Sequence, residues 1–183
     1  MKSVHFIGIG GIGVSSLAQY YLAQGWQVSG SDAVRSEITD GLKRRGVKIY
    51  IGQKAKNIKS PDLVIYSAAI KLENPEFSAA QSQGIKILSY AQAVGELTKK
   101  YFTVAVAGSH GKSTTTALIG LILTEAGFDP TIIIGTKLKE LEGPPFPEGR
   151  SFSSGNNFRS GQSKYLVLEA DEYARSFHNY FPK

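Results

Sequence analysis

The chain has 183 residues, 42% hydrophobic and 20% charged, with no cysteine and a formal net charge of +6. That length suits one domain plus part of a second, or two small domains, at about 100–200 residues each. The lack of cysteine excludes a disulfide framework and a thiolate zinc site, and no apolar run reaches the ~20 residues of a membrane span. The positive excess falls in residues 1–100, where 13 Lys and Arg face 7 Asp and Glu, while residues 101–183 balance at 8 against 8. Much of it sits in Lys43, Arg44, Arg45, Lys48, Lys54, Lys56 and Lys59. This stretch reads as solvated surface without the interleaved aromatic platform of a nucleic-acid site, so no nucleic-acid partner is expected.

Apolar runs alternate with helical stretches from the first residues on, the pattern of a parallel sheet covered by helices. Met1 leads straight into a strand at Val4–Ile9 with no small-residue cleavage site, so no secretory signal is expected and a cytoplasmic location is. A helix from Ile12 to Gln24, closed by Gly25, precedes a strand over Trp26–Ser31. A helix at Glu37–Arg45, a short strand at Val47–Ile51 and a buried strand at Leu63–Tyr66 follow. Pro75 opens the next helix, where its missing N–H costs nothing. Ile85–Leu88 is a strand and Gln92–Lys99 a helix. The pattern then restarts with a strand at Phe102–Ala107, a helix at Lys112–Ala126 closed by Gly127, and strands at Thr131–Ile134 and Tyr165–Leu168. Lys137–Ser163, rich in Gly, Pro, Ser and Asn, reads as a long loop with an incomplete hairpin. The fold class is α/β: a Rossmann-like parallel-sheet domain over 1–99, then the first part of a P-loop α/β ATP-binding domain over 100–183.

Gly8-Ile9-Gly10-Gly11-Ile12-Gly13 follows a strand and opens a helix. Gly8 permits the tight turn, Gly10 lets the backbone approach a diphosphate, and Gly13 lets helix and strand pack closely. Gly11 and Ile12 complete the loop, and the helix N-terminus offers N–H groups to an anion. Asp32, at the end of the second strand, can accept a hydrogen bond from a ribose. Alone, this loop would also suit a nicotinamide-dependent dehydrogenase.

A second loop, Gly108-Ser109-His110-Gly111-Lys112-Ser113-Thr114, again joins a strand to a helix. Backbone N–H groups there can wrap a triphosphate, Lys112 can neutralise its β and γ oxygens, and Ser113 can offer a hydroxyl to Mg²⁺. Val106 stands where the longer G-x-x-x-x-G-K form would need glycine. His110 is expected near the transferred phosphate or the second substrate. Glu169-Ala170-Asp171-Glu172 closes a buried strand and supplies carboxylates suited to Mg²⁺, with Glu169 and Asp171 on one side and Glu172 on the other.

Taken together, Val4–Gly13, Ser29-Gly30-Ser31-Asp32, Gly108–Ser113, Ser154–Gly161 and Leu168–Glu172 resemble the Mur ligases of peptidoglycan synthesis, over essentially the whole chain. Ser109 and Ser113 stand where that family more often has threonine. The resemblance implies ATP and Mg²⁺ as cofactors and UDP-N-acetylmuramate and L-alanine as substrates, joined through an acyl phosphate. A branch that attaches a tripeptide to the same sugar shares most of the motifs, including Tyr173. By the resemblance, Gly10 to Gly13 would hold the diphosphate, with Asp32 and Ser67 near the nucleoside. The catalytic set would be Lys112, Glu169 and His110, with Ser113 and Glu169 on the metal. Family members continue beyond the equivalent of Lys183, so the chain is expected to be a shortened form with little activity alone. A UDP-sugar and ATP-binding module without chemistry is the alternative.

Overall fold

The computed structural model describes residues 1–135, 157–170 and 179–182. Its first half runs β1 Ser3–Ile7, α1 Ile12–Ala23, β2 Gln27–Asp32, α2 Glu37–Arg44, β3 Lys48–Ile51, a 3-10 turn Ala55–Asn57, β4 Leu63–Tyr66, α3 Pro75–Ser82 and β5 Lys86–Ser89. There follow α4 Tyr90–Thr98, β6 Phe102–Val106, α5 Lys112–Glu125, β7 Thr131–Ile133, β8 Phe158–Arg159 and β9 Tyr165–Glu169. The chain divides into two compact units, Met1–Ala93 and Val94–Lys183. Among the described residues no helix is long and apolar enough to cross a membrane.

In the first unit five parallel strands lie in the order β3-β2-β1-β4-β5. The order reverses between β1 and β4, the switch point where ligands of open α/β sheets bind beyond the strand C-termini. Val4, Phe6 and Ile7 of β1 are buried, as a central parallel strand requires. Ile7, Ile58, Val64 and Ala80 form one core cluster, packed by Phe77, Ile85 and Ile87. Helix α1 buries every residue from Val14 to Tyr20, so it is covered nearly all round.

Helix ends follow local chemistry. Ser36 and Thr39 form a capping box on α2, and Asn74 caps α3 through the N–H groups of Glu76 and Phe77 with Pro75 behind it. Gly25 and Gly127 close α1 and α5 with φ +76° and +80°. In each case the next residue's N–H reaches back into the last turn, from Trp26 to Tyr21 and from Phe128 to Leu123. The fourth helix begins at Tyr90, two residues before the predicted Gln92. Ser89 and Gln92 form a reciprocal cap, Gln92 N–H to Ser89 Oγ at 3.2 Å and Ser89 N–H to Gln92 Oε1 at 2.9 Å, which places the first helical residue at 90.

In the second unit the order is β6-β9-β7-β8, parallel except for β8, which pairs antiparallel to β7 through Ile132↔Arg159 and Ile133↔Phe158. Part of the predicted loop over Lys137–Ser163 is therefore an ordered strand. Arg159 anchors it: its Nη1 donates to the Pro130 carbonyl at 2.6 Å and its Nη2 meets Asp129 Oδ1 at 2.7 Å. Residues 137–156 of that loop lie outside the described residues, as do Asp171, Glu172 and Tyr173. Ala117, Ile132, Ile134 and Val167 form the core between α5 and the sheet.

Candidate functional site

The first glycine loop sits at the C-terminal end of β1. Gly8 has φ +81°, a conformation that disfavours any side chain, and a Cβ built there would lie 3.0 Å from Ser67 Cβ. The N–H groups of Gly8 and Ile9 both donate to the Ser31 carbonyl at 2.9 Å, tying the loop to β2. Gly11 is the N-cap of α1, and Ser15 N–H makes the first helical bond to its carbonyl at 2.8 Å. The N–H groups of Gly13 and Val14, just before Ser15, belong to the first turn of α1. Asp32 Oδ2 accepts Gly10 N–H at 2.8 Å, so this acid lies on the loop. Ser67 opens a turn closed by Ile70 N–H to its carbonyl at 2.9 Å.

Gly13 differs from its expected role. A Cβ built on it would lie 2.8 Å from the Tyr90 hydroxyl, so its close neighbour is the first residue of α4 and not the strand. Tyr90 was not legible as a neighbour of this loop, because only the tertiary fold brings the start of α4 to Gly13. The reciprocal Ser89–Gln92 cap was the available signal.

Beneath this loop lies a second polar group, centred on Glu76 of the Asn74-Pro75-Glu76 run that the resemblance sets along the same site. Glu76, fully buried, accepts hydrogen bonds from Ser31 Oγ, from Asn57 Nδ2 and, at 3.3 Å, from Lys54 N–H. His5 Nε2 stands 3.5 Å from Glu76 Oε2 and makes no hydrogen bond among the described residues, while its Nδ1 pairs with Ser29 Oγ at 2.9 Å. Burial works to raise the Glu76 carboxyl, but the adjacent His5 and the bonds from Ser31 and Asn57 outweigh it and hold the group below the usual glutamate value. Ser31 links this network to the loop above, since its hydroxyl meets Glu76 and its carbonyl meets Gly8 and Ile9.

In the second unit, Gly108 has φ +152° and Gly111, the N-cap of α5, is left-handed at φ +72°. Thr115 N–H to Gly111 carbonyl, at 2.9 Å, is the first bond of the helix, so the turn holding Ser113 and Thr114 presents its N–H groups to the loop. Lys112 Nζ donates to the Gly108 carbonyl at 2.7 Å, so the ammonium lies over the loop and does not point away from it. Ser113 Oγ donates to Glu169, at 2.9 and 3.1 Å from its two oxygens, and Gly135 N–H meets Glu169 Oε2 at 2.8 Å. The register Val106↔Glu169 sets that carboxylate at the end of the strand feeding the loop. Ser109, His110 and Thr114 are exposed, and His110 makes no side-chain hydrogen bond among the described residues. The Ser113–Glu169 pair offers hard oxygen donors, the chemistry Mg²⁺ takes beside phosphate oxygens and water. Among the described residues no three of His, Asp and Glu gather as a metal site.

A model of the Mur ligase family, catalytic domain, matches residues 3–102. The UDP-N-acetylmuramate–L-alanine ligase of Acetivibrio thermocellus is 48% identical over 182 residues, covering 99% of this chain and 36% of that protein. The enzyme of the same name from Alkaliphilus metalliredigens is 42% identical over 183 residues, 100% of this chain and 37% of its own. The chain thus spans a little over a third of the length of these relatives. Among solved structures, UDP-N-acetylmuramate-alanine ligase from Thermotoga maritima superposes with a TM-score of 0.86 at 31% identity, over 100% of this chain and 40% of that one. The UDP-N-acetylmuramate:L-alanyl-gamma-D-glutamyl-meso-diaminopimelate ligase of Neisseria meningitides gives a TM-score of 0.79 at 28% identity, over 100% and 58%.

Proposed function

Because the chain belongs to the Mur ligase family, we propose that it carries the nucleotide-handling part of an ATP-dependent ligase joining L-alanine to UDP-N-acetylmuramate. The observation that carries this reading is Ser113 and Glu169 hydrogen-bonded behind a lysine-bearing loop, in a chain that already has a separate glycine loop on another sheet. Residues 1–99 would bind the UDP-sugar, with Gly8, Gly10, Gly11, Ile12 and Gly13 around the diphosphate and Asp32 and Ser67 toward the nucleoside. Residues 100–183 would bind ATP through Gly108 to Thr114.

In this reading the γ-phosphoryl group passes from ATP to the lactyl carboxylate, forming an acyl phosphate and ADP. The amine of L-alanine then attacks the acyl carbon, the C–O bond to phosphate breaks, and an amide, phosphate and a proton result. Lys112 swings from the Gly108 carbonyl to the β and γ oxygens, and the open N–H groups of α5 hold the same anion in place. Ser113 and Glu169 would hold Mg²⁺, which when bound offsets charge on the transferred group. His110 would stand near the transferred phosphate or the second substrate. Soluble nucleotide substrates agree with a cytoplasmic location. The likeness to the Neisseria enzyme supports a second reading, in which the incoming amine belongs to a tripeptide.

Calorimetric titration with UDP-N-acetylmuramate, ATP–Mg²⁺ and NADH tests the proposal. The native chain is expected to bind the first two, and Lys112→Met to lose ATP while keeping the sugar nucleotide. Binding of NADH alone, or ATP affinity unchanged in Lys112→Met, overturns it.

A further inference from the structure

Strands of a buried parallel sheet are normally apolar on both faces. One face of the first unit's sheet departs from this. Ser3 and His5 of β1, Gln27 and Ser29 of β2 and Lys48 and Tyr50 of β3 alternate along their strands and are aligned by the register Ser3↔Gln27, His5↔Ser29 and Ser29↔Lys48. They line a cavity of about 490 Å³ together with Trp26, Asn57, Lys59 and Pro61. That volume lies within the ~300–1,000 Å³ usual for small-molecule pockets.

None of Gly8 to Gly13, Asp32 or Ser67 borders this cavity. Its lining on β1 and β2 lies toward the N-terminal ends of those strands, whereas the glycine loop stands at the C-terminal end of β1. Its charge is one-sided. Lys48 and Lys59 are exposed at its walls, and neither ammonium pairs with a carboxylate among the described residues. No Asp or Glu lines it. Asp62 is engaged by Ser3, through its N–H at 2.7 Å and its Oγ at 2.9 Å, and Glu76 by Ser31, Asn57 and Lys54. Lys48 Nζ sits 5.6 Å from the Tyr50 ring centre, so a cation and an aromatic surface adjoin. The basic stretch that the sequence suggests is solvated surface therefore places two of its lysines, and Tyr50 among them, around a concavity.

We propose that this cavity is a second binding site, for a metabolite-sized anion bearing a phosphate or carboxylate on an apolar or planar body. Lys48 and Lys59 meet the anionic group, while Ser29 and Gln27 supply hydrogen bonds. Trp26 and Tyr50 face the body. Unpaired cations beside low-dielectric walls concentrate field in such a cleft and draw in counter-charge.

Trp26 is the sole tryptophan of the chain, so its selectively excited fluorescence reports on this cavity, whose lining includes no residue of either glycine loop. The native chain is titrated with inorganic phosphate and, separately, with acetate, at ionic strength held constant with sodium chloride. A saturable change in Trp26 emission is expected with at least one of the two, and the responsive anion identifies the preferred group. Lys48→Gln/Lys59→Gln should weaken that response at least about tenfold, with UDP-N-acetylmuramate binding unchanged. Lys112→Met should leave the Trp26 response intact, which separates this site from the nucleotide loop. A response absent for both anions, or equal in the double variant, overturns the proposal whatever the fate of the ligase reading.

Discussion

Removing the Glu76 carboxylate should cost more than any other single truncation in the first unit's polar interior. In Glu76→Ala, Ser31 Oγ and Asn57 Nδ2 lose an acceptor in a buried site, and Lys54 N–H loses one in a partly buried position. An orphaned buried donor costs about 1–3 kcal/mol before relaxation. Breaking a buried charged network by removing one partner costs about 3–5 kcal/mol, and the lower end applies here because Asn57 keeps a bond to the Gly52 carbonyl at 3.0 Å. For a unit of this size the melting temperature should fall by on the order of 15 °C. Glu76→Gln keeps the volume and gives the sharper test. The native carboxyl titrates below its ordinary value, so its stabilisation is complete above the unfolded glutamate pKa and is lost as pH falls through the lower folded value. The stability gap between native and Glu76→Gln should therefore be widest near neutrality and close in acid, as measured by urea unfolding across pH. A gap that stays constant or widens in acid, or a cost below about 1 kcal/mol in Glu76→Ala, refutes the reasoning.

Gly10→Ala places a Cβ 2.8 Å from Asp32 Oδ2 and should break the Gly10–Asp32 bond, lowering UDP-N-acetylmuramate affinity about tenfold or more by calorimetry. Glu169→Gln keeps an acceptor for Gly135 N–H but removes the charge beside Ser113. It should weaken Mg²⁺-dependent ATP binding about 10–100-fold, with little effect on ATP binding in EDTA. Gly120→Ala sets a Cβ 2.5 Å from Ile132 Cδ1 inside the second unit's core. Overpacking at about 1–3 kcal/mol exceeds the ~1 kcal/mol helix gain, so a net loss near 1 kcal/mol is expected in urea unfolding.

Most of what is local in this protein was legible in the residues themselves. Gly25 and Gly127 end their helices where predicted, Pro75 begins one, and both glycine loops fall between strand and helix, because turn and cap chemistry acts over a few neighbouring residues. The family motifs likewise lie in short runs. Where Tyr90 would stand, what would cover Ser31 and how far β8 extends the second sheet depended on contacts between segments distant in the chain. Glu76 meets Ser31 across 45 residues, and Ser113 meets Glu169 across 56. Local sequence pattern encodes periodicity and capping, whereas a buried carboxylate is stabilised only by partners that the sheet order delivers, so its role was decided by tertiary structure alone.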